Sequence, residues 1–340
     1  MRRLGSLLLL FCLLLSGCTA PQTSAKQRYT ATFLELFDTV TTVVGYAESK
    51  EAFEKDAQAI REEMKRYHEL FDIYHDYDVP NLKTINDNAG IQPVKVDEPI
   101  LALLKDCREY HRLTEGTVNV MMGSVLKLWH DARTQAENDP ANAAIPSEAA
   151  LKAAAEHTSI ASLVIDEAAG TVYLSDAKAR LDVGAVAKGW ATQKAAEHAP
   201  AGMLISVGGN VCATGPKAEG KPWVVGIQDP DDADKNLCAL TLSTGSVVTS
   251  GDYQRTYRVD GTDYHHIIDP QTLLPARKWR SVSVVCADSG LADALSTGLF
   301  LMDRAQGEAL AARCGADVMW VDTNRKEYRT AGFDSRLQTS

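Results

Sequence analysis

Two short stretches carry the residue types for metal and proton chemistry. Tyr264-His265-His266-Ile267-Ile268-Asp269-Pro270 sets a histidine pair and an aspartate on a turn closed by proline. Further on, Ala292-Asp293-Ala294-Leu295-Ser296-Thr297 spaces Asp293 and Thr297 four apart, which puts both on one face of a helix. A carboxylate and a hydroxyl so placed make a hard-oxygen site of the kind Mg²⁺ prefers. An imidazole nearby can move a proton. On residue type alone, Asp293 and Thr297 also fit an ordinary helix start, and His266 fits a structural hydrogen-bonding role.

Three weaker pieces precede these. Gly184-Ala185-Val186-Ala187-Lys188-Gly189 reads as a turn into a helix start, where free N–H groups and Lys188 suit an anion. Its spacing matches neither a Walker loop nor Gly-x-Gly-x-x-Gly. Gly208-Gly209-Asn210 permits close backbone approach. Thr249-Ser250-Gly251-Asp252-Tyr253 offers hydroxyls, and alone it reads as a loop.

The elements that position these residues are readable in part. Phe53, Ala57, Ile60, Met64, Tyr67 and Phe71 recur at steps of four and three, which predicts a core helix over 49–71. Residues 30–46 predict a strand or hairpin, and 72–88 a long polar loop. Asp97 reads as the N-cap of the next helix, with Pro99 in its first turn. Residues 134–147 read as a surface excursion, and 162–174 as a hairpin. Arg180 to Trp190 predicts a strand, a turn and then a helix. Residues 281–286 predict a strand, 291–302 the helix carrying Asp293, and 305–314 a last helix capped by Gly315. This order predicts an α+β fold, not a doubly wound parallel sheet.

The chain has 340 residues and a formal charge of -10, which argues against a nucleic-acid partner. Arg2 and Arg3, a short apolar run, and Leu15-Ser16-Gly17-Cys18 read as a lipoprotein signal over 1–17. The apolar run is too short to span a bilayer. Cys18 is then expected to carry lipid, with residues 18–29 as a tether and the fold over 30–334. A plain secretory signal cleaved elsewhere is the alternative. The other cysteines are scattered, and no zinc ribbon or disulfide framework is indicated.

The order of the five pieces resembles the FAD:protein FMN transferase family, the ApbE-type flavin transferases, over about residues 30–332. The lipobox agrees, since many of that family are exported lipoproteins. The resemblance implies a single T-fold-like α+β domain with mixed or antiparallel sheets packed with helices. It implies FAD as substrate and a divalent metal, Mg²⁺ with Mn²⁺ possible. FMN moves to a Thr or Ser hydroxyl of an exported acceptor protein bearing a flavinylation motif, and AMP leaves. The protein would sit at the extracytoplasmic face of the bacterial membrane. The metal ligands carry over to Asp293, Thr297 and the Ala185 carbonyl, with Asp293 also counted as catalytic. Lys188 carries over as the FAD-contacting lysine, Ile267 as an FAD contact, His266 as the base, and Tyr74 as the aromatic against the flavin.

The chain departs from the family pattern in places, reading Phe37-Asp38-Thr39 for the usual Met-Gly-Thr. Phe37 replaces a methionine and Asn119 an aspartate, both at FAD-contact positions, and Leu273 replaces a glycine. Two alternatives therefore stand beside the transferase: a metal-dependent FAD pyrophosphatase giving FMN and AMP, and a non-catalytic FAD-binding lipoprotein.

Overall fold

The structure, a computed structural model, describes residues 26–338. The signal, Cys18 and most of the tether lie outside the described residues. The chain opens with β1 (Gln27–Leu36), β2 (Thr39–Ala47) and α1 (Lys50–Phe71). Then come α2 (Leu82–Asp87), β3 (Val94–Lys95), α3 (Glu98–Leu113), α4 (Gly123–Asn138) and α5 (Glu148–Ala155). The middle holds β4 (Leu163–Asp166), β5 (Thr171–Leu174), α6 (Ala187–His198), β6 (Met203–Val207) and β7 (Asn210–Ala213). Next are β8 (Trp223–Asp229), β9 (Asp232–Leu242), β10 (Gly245–Gly251), β11 (Tyr257–Val259), β12 (Thr262–Tyr264) and β13 (Trp279–Cys286). The chain ends in α7 (Ser289–Leu301), α8 (Arg304–Cys314), β14 (Asp317–Asp322), β15 (Glu327–Arg329) and α9 (Ala331–Asp334).

Eight strands form the main sheet, in the order β1-β2-β6-β7-β10-β13-β14-β15. Each neighbouring pair is antiparallel. Alternate residues of the inner strands feed two different cores. Val248 and Val284 pack with α7 and α8, whereas Val247 and Val285 pack with β8, β9 and Phe333. With both faces covered, β13 is buried at every position but Arg280, its polar Ser281 and Ser283 included. A third core joins α1, α3, α6, β2 and β6. The result is the α+β architecture expected.

Local corrections have physical causes. The first strand begins at Gln27, so Gln27 to Tyr29 are strand, not tether. The polar stretch 72–88 is not all loop, because a capping box between Asn81 and Thr84 nucleates α2. Asp97 holds the N-cap position of α3 without a side-chain cap bond; its carboxylate pairs with Arg66 at 3.1 Å. Helix α4 runs on to Asn138, well into the stretch read as a surface excursion. Residues 180–183 make only an isolated bridge, Met122 to Arg180, not a strand. Thr249, Ser250 and Gly251 belong to β10 and are not loop.

Candidate active site

A cavity of about 470 Å³ opens where β10, α6, α7 and the 252–270 segment meet. That volume is ordinary for a small-molecule site. It exists because two neighbouring strands differ in length. Strand β7 pairs with β10 only from Gly245 to Val248, and β10 continues to Gly251 against β13 alone. Gly208 and Gly209, both at positive φ (53° and 96°), turn β6 into β7 and end the wall there. The Thr249 and Ser250 end of β10 therefore faces the cavity together with Asn210.

Asp293 is 4% exposed and sits on α7 against the start of α6. Its Oδ2 accepts a hydrogen bond of 2.8 Å from the Gly189 N–H, in the first turn of α6. A carboxylate there also meets the positive end of the helix dipole. The two helices approach this closely because residue 189 has no side chain: a Cβ would run into Ser289 O and Asp293 Cβ. Lys188 Nζ lies 3.8 Å from Asp293 Oδ2 and 3.4 Å from the Gly184 carbonyl. Burial pushes the Asp293 carboxyl up from its ordinary range, while Lys188 and the Gly189 N–H oppose that. The Asn210 amide favours the charged form least of the three, and its Nδ2 makes no hydrogen bond to a described acceptor.

One turn on, Thr297 Oγ1 lies 3.5 Å from Ser250 Oγ, and that hydroxyl is 2.8 Å from Ser296 Oγ. Ser296 Oγ donates back to the Asp293 carbonyl at 2.9 Å. Thr297 is thus only loosely engaged. Asp293, Thr297 and Ala185 all line the one cavity. The donors are hard oxygens and include a buried carboxylate whose cationic neighbour, Lys188, stands 3.8 Å away, so the set suits a small divalent cation. Among the described residues, no group of three or more His, Cys, Asp or Glu side chains is placed to hold a metal ion. A cation here would therefore rely on hydroxyl, carbonyl, water and substrate oxygens besides Asp293.

The adjacent histidines have different jobs. His265 is spent on structure: its Nδ1 accepts from the Ile267 N–H at 3.2 Å, so Nε2 carries the proton and donates to the Ala276 carbonyl at 2.6 Å. His266 Nδ1 donates to the Gln254 carbonyl at 3.1 Å, which leaves Nε2 as a lone-pair acceptor in the cavity wall. Burial, and then the Arg255 charge, push the His266 imidazole down to about 3, so it is neutral and able to accept.

Ile267, Tyr74 and Asn119 line the same cavity. Tyr74 is stacked on His130 with ring centroids 4.8 Å apart. Asn119 is committed to the backbone: its Nδ2 donates to Thr158 O at 2.9 Å and its Oδ1 accepts from Met121 N at 3.0 Å. Phe37 does not line the main cavity. It lies in an adjoining one of about 150 Å³, edge-on to His68. The sequence reading missed Asp182, Ser250, Asn210 and Arg255 as cavity residues. Asp182 accepts from the Gly184 N–H at 2.9 Å, and burial raises its carboxyl. The repeated pairing of glycines with polar residues in 182–189, 208–210 and 249–252 was the available signal.

Comparison with known proteins agrees with this geometry. The ApbE family matches residues 37–320. An FAD:protein FMN transferase of Treponema pallidum is 33% identical over 277 residues, covering 76% of this chain and 75% of its own. One from Klebsiella pneumoniae is 28% identical over 332 residues, 94% and 92% of the two chains. The crystal structure of the ApbE protein of Thermotoga maritima superposes with a TM-score of 0.83 at 30% identity, covering 92% of this chain and all (100%) of that one. The Vibrio cholerae flavin transferase ApbE, at 23% identity and a TM-score of 0.76 over 92% and 100% of the chains, shares the fold. With the family match spanning residues 37–320 and a relative 33% identical over 76% of the sequence, this chain belongs to the ApbE family.

Proposed function

We propose that this protein transfers FMN from FAD to a Thr or Ser hydroxyl of an exported acceptor protein, releasing AMP. The observation that carries this reading is the buried Asp293 beside Thr297 and Lys188, in one cavity with the free Nε2 of His266. Relatives named for that activity support it.

Asp293, Thr297 and the Ala185 carbonyl would hold Mg²⁺, or Mn²⁺ in its place. When bound, such an ion supplies charge neutralisation for phosphoryl transfer. Lys188 adds a second positive charge to the same wall. The acceptor oxygen forms a bond to the FMN phosphorus as the bond from that phosphorus to the AMP phosphate oxygen breaks. The hydroxyl proton goes to His266 Nε2, and the electron pair leaves on AMP. Entry of the anionic dinucleotide offsets the Arg255 and Lys188 charges that depress His266, so the base strengthens once substrate is bound. Water in place of the hydroxyl would give FMN and AMP, which is the hydrolase.

The lipobox supports export and anchoring through lipid on Cys18, at the extracytoplasmic face of the membrane. The partners are then FAD and an exported redox protein. No helix among the described residues is long and apolar enough to cross a membrane. The test incubates full-length protein in detergent with FAD, Mg²⁺ and a fragment bearing an acceptor motif, with and without EDTA. A mass gain of one FMN that EDTA and Asp293→Ala abolish is the expected result. FMN and AMP without modified fragment would favour the hydrolase, and FAD bound but unchanged would sink both.

A further inference from the structure

Two cavities meet at the site, and they share Asp38, Tyr74, Asp182, Gly184, Lys188 and Arg255. Three of the bases lining them are Lys188, Arg133 and Arg255. Lys188 already faces Asp293 at 3.8 Å, and Arg133 faces Glu137 at 3.6 Å. Among the described residues, no carboxylate lies within ion-pair distance of Arg255, and its guanidinium donates no hydrogen bond to a described acceptor. Its side chain is exposed at the junction of the two cavities.

The backbone holds it there. Arg255 has φ 47°, a left-handed conformation that a non-glycine residue rarely adopts. Both ends of its loop are tied. Asp252 pairs with Arg280 at 2.9 Å on one side, and Tyr257 is buried beside Trp129 on the other. Between them, the Gln254 carbonyl orients His266. One loop thus sets the base and presents an uncommitted guanidinium beside it. In a chain of net charge -10, an anionic substrate needs such a local positive group.

We propose that Arg255 is a further substrate-binding residue, its guanidinium fork engaging the diphosphate of the dinucleotide where the two cavities join. The inference rests on the FAD reading above. A planar fork suits paired phosphate oxygens better than a lysine does. Strain in the loop then serves presentation of the side chain.

The test measures binding of FAD and of riboflavin, which has no phosphate, to the full-length protein in detergent with EDTA present to stop turnover. Arg255→Gly is the informative deletion, because glycine takes positive φ without strain. It is expected to raise the Kd for FAD about 10–100-fold, the range for a lost charge-assisted hydrogen bond, and to leave riboflavin binding unchanged. Arg255→Lys keeps the charge, and an intermediate loss confined to FAD is expected. An unchanged Kd for FAD in Arg255→Gly would overturn the inference, as would equal losses for FAD and riboflavin, which would mark a damaged loop. Absence of FAD binding by the unmodified protein both in EDTA and with Mg²⁺ would sink the transferase reading and this inference together.

Discussion

Helix α1 presents one apolar stripe to the core and leaves its other face in water, whereas α7 is enclosed on almost every side. In α1 the buried residues are Phe53, Ala57, Ile60, Met64, Tyr67, Leu70 and Phe71, and the opposite face carries Lys and Glu. In α7 all residues but Leu291 and Thr297 are buried, Asp293, Ser289 and Ser296 among them. The first helix gains stability by removing apolar surface from water. The second gives some of that up to bury a carboxylate and hydroxyls, a cost that persists only where the groups serve something else. Scaffold and chemistry are thus divided between two helices of one domain.

Substitutions can break or sharpen this division. Asp293→Asn should reduce FMN transfer by on the order of 10³-fold or more, measured as modified acceptor per minute. The same change should raise the melting temperature in EDTA. The Asp293 carboxyl is raised in the fold, so the unfolded chain ionises first and stability falls as pH climbs through that window. A less stable Asp293→Asn in EDTA would break the comparison.

His266→Gln should cost about 10²–10⁴ in rate if the imidazole is the base. Its folded value of about 3 lies below the ordinary 6.5, so the unfolded chain binds the extra proton between them. Stability from this residue is present above pH 6.5 and is lost as pH falls toward 3. Melting curves at pH 7 and pH 5 should show a steeper loss for the unmodified protein than for His266→Gln.

Gly189→Ala should force α6 from α7, at about 1–3 kcal/mol for overpacking. Its activity should fall most at limiting Mg²⁺ and recover partly in excess, which a Mg²⁺ titration would reveal. Met64→Ala is the smallest in its effect on chemistry. It should cost about 2–5 kcal/mol of stability by denaturant melt, with kcat/KM unchanged well below the transition. A matching loss of kcat/KM would show that α1 is not merely scaffold.

The same contrast explains what could be read from the chain. Helix α1 was legible because its pattern is one-dimensional: a stripe at helical spacing. The Asp293 helix was placed to within two residues, but its burial on all sides was not evident from so many small residues. Asn210 at the start of β7 and Thr249 and Ser250 near the end of β10 are strand positions that polar side chains disguise, because they line a cavity. In the site, Asp293, Thr297, Lys188 and His266 stood out through the order of their motifs. Phe37 was assigned to FAD by position in the pattern, and the structure puts it in the adjoining cavity. Asn119 reaches the main cavity but spends its amide on Thr158 and Met121. Arg255 carried no signal, since nothing in a lone arginine announces that its neighbours leave it unpaired.

The position of β10 has a kinetic consequence. Its Ser246, Val247 and Val248 are bonded to β7 on one side and β13 on the other, deep inside an eight-stranded sheet. Edge strand β1 has a neighbour on one side only among the described residues and leaves Leu34 71% exposed. Amide protons of the β1 edge exchange through local fraying, while those of β10 wait for the sheet to come apart. The centre of β10 is then among the last parts of the molecule to open, whereas the cleft is bounded by Thr249 and Ser250, bonded to β13 alone, and by Asp38 and Thr39 at the β1–β2 turn, so heat or denaturant should loosen its rim before the sheet beneath it.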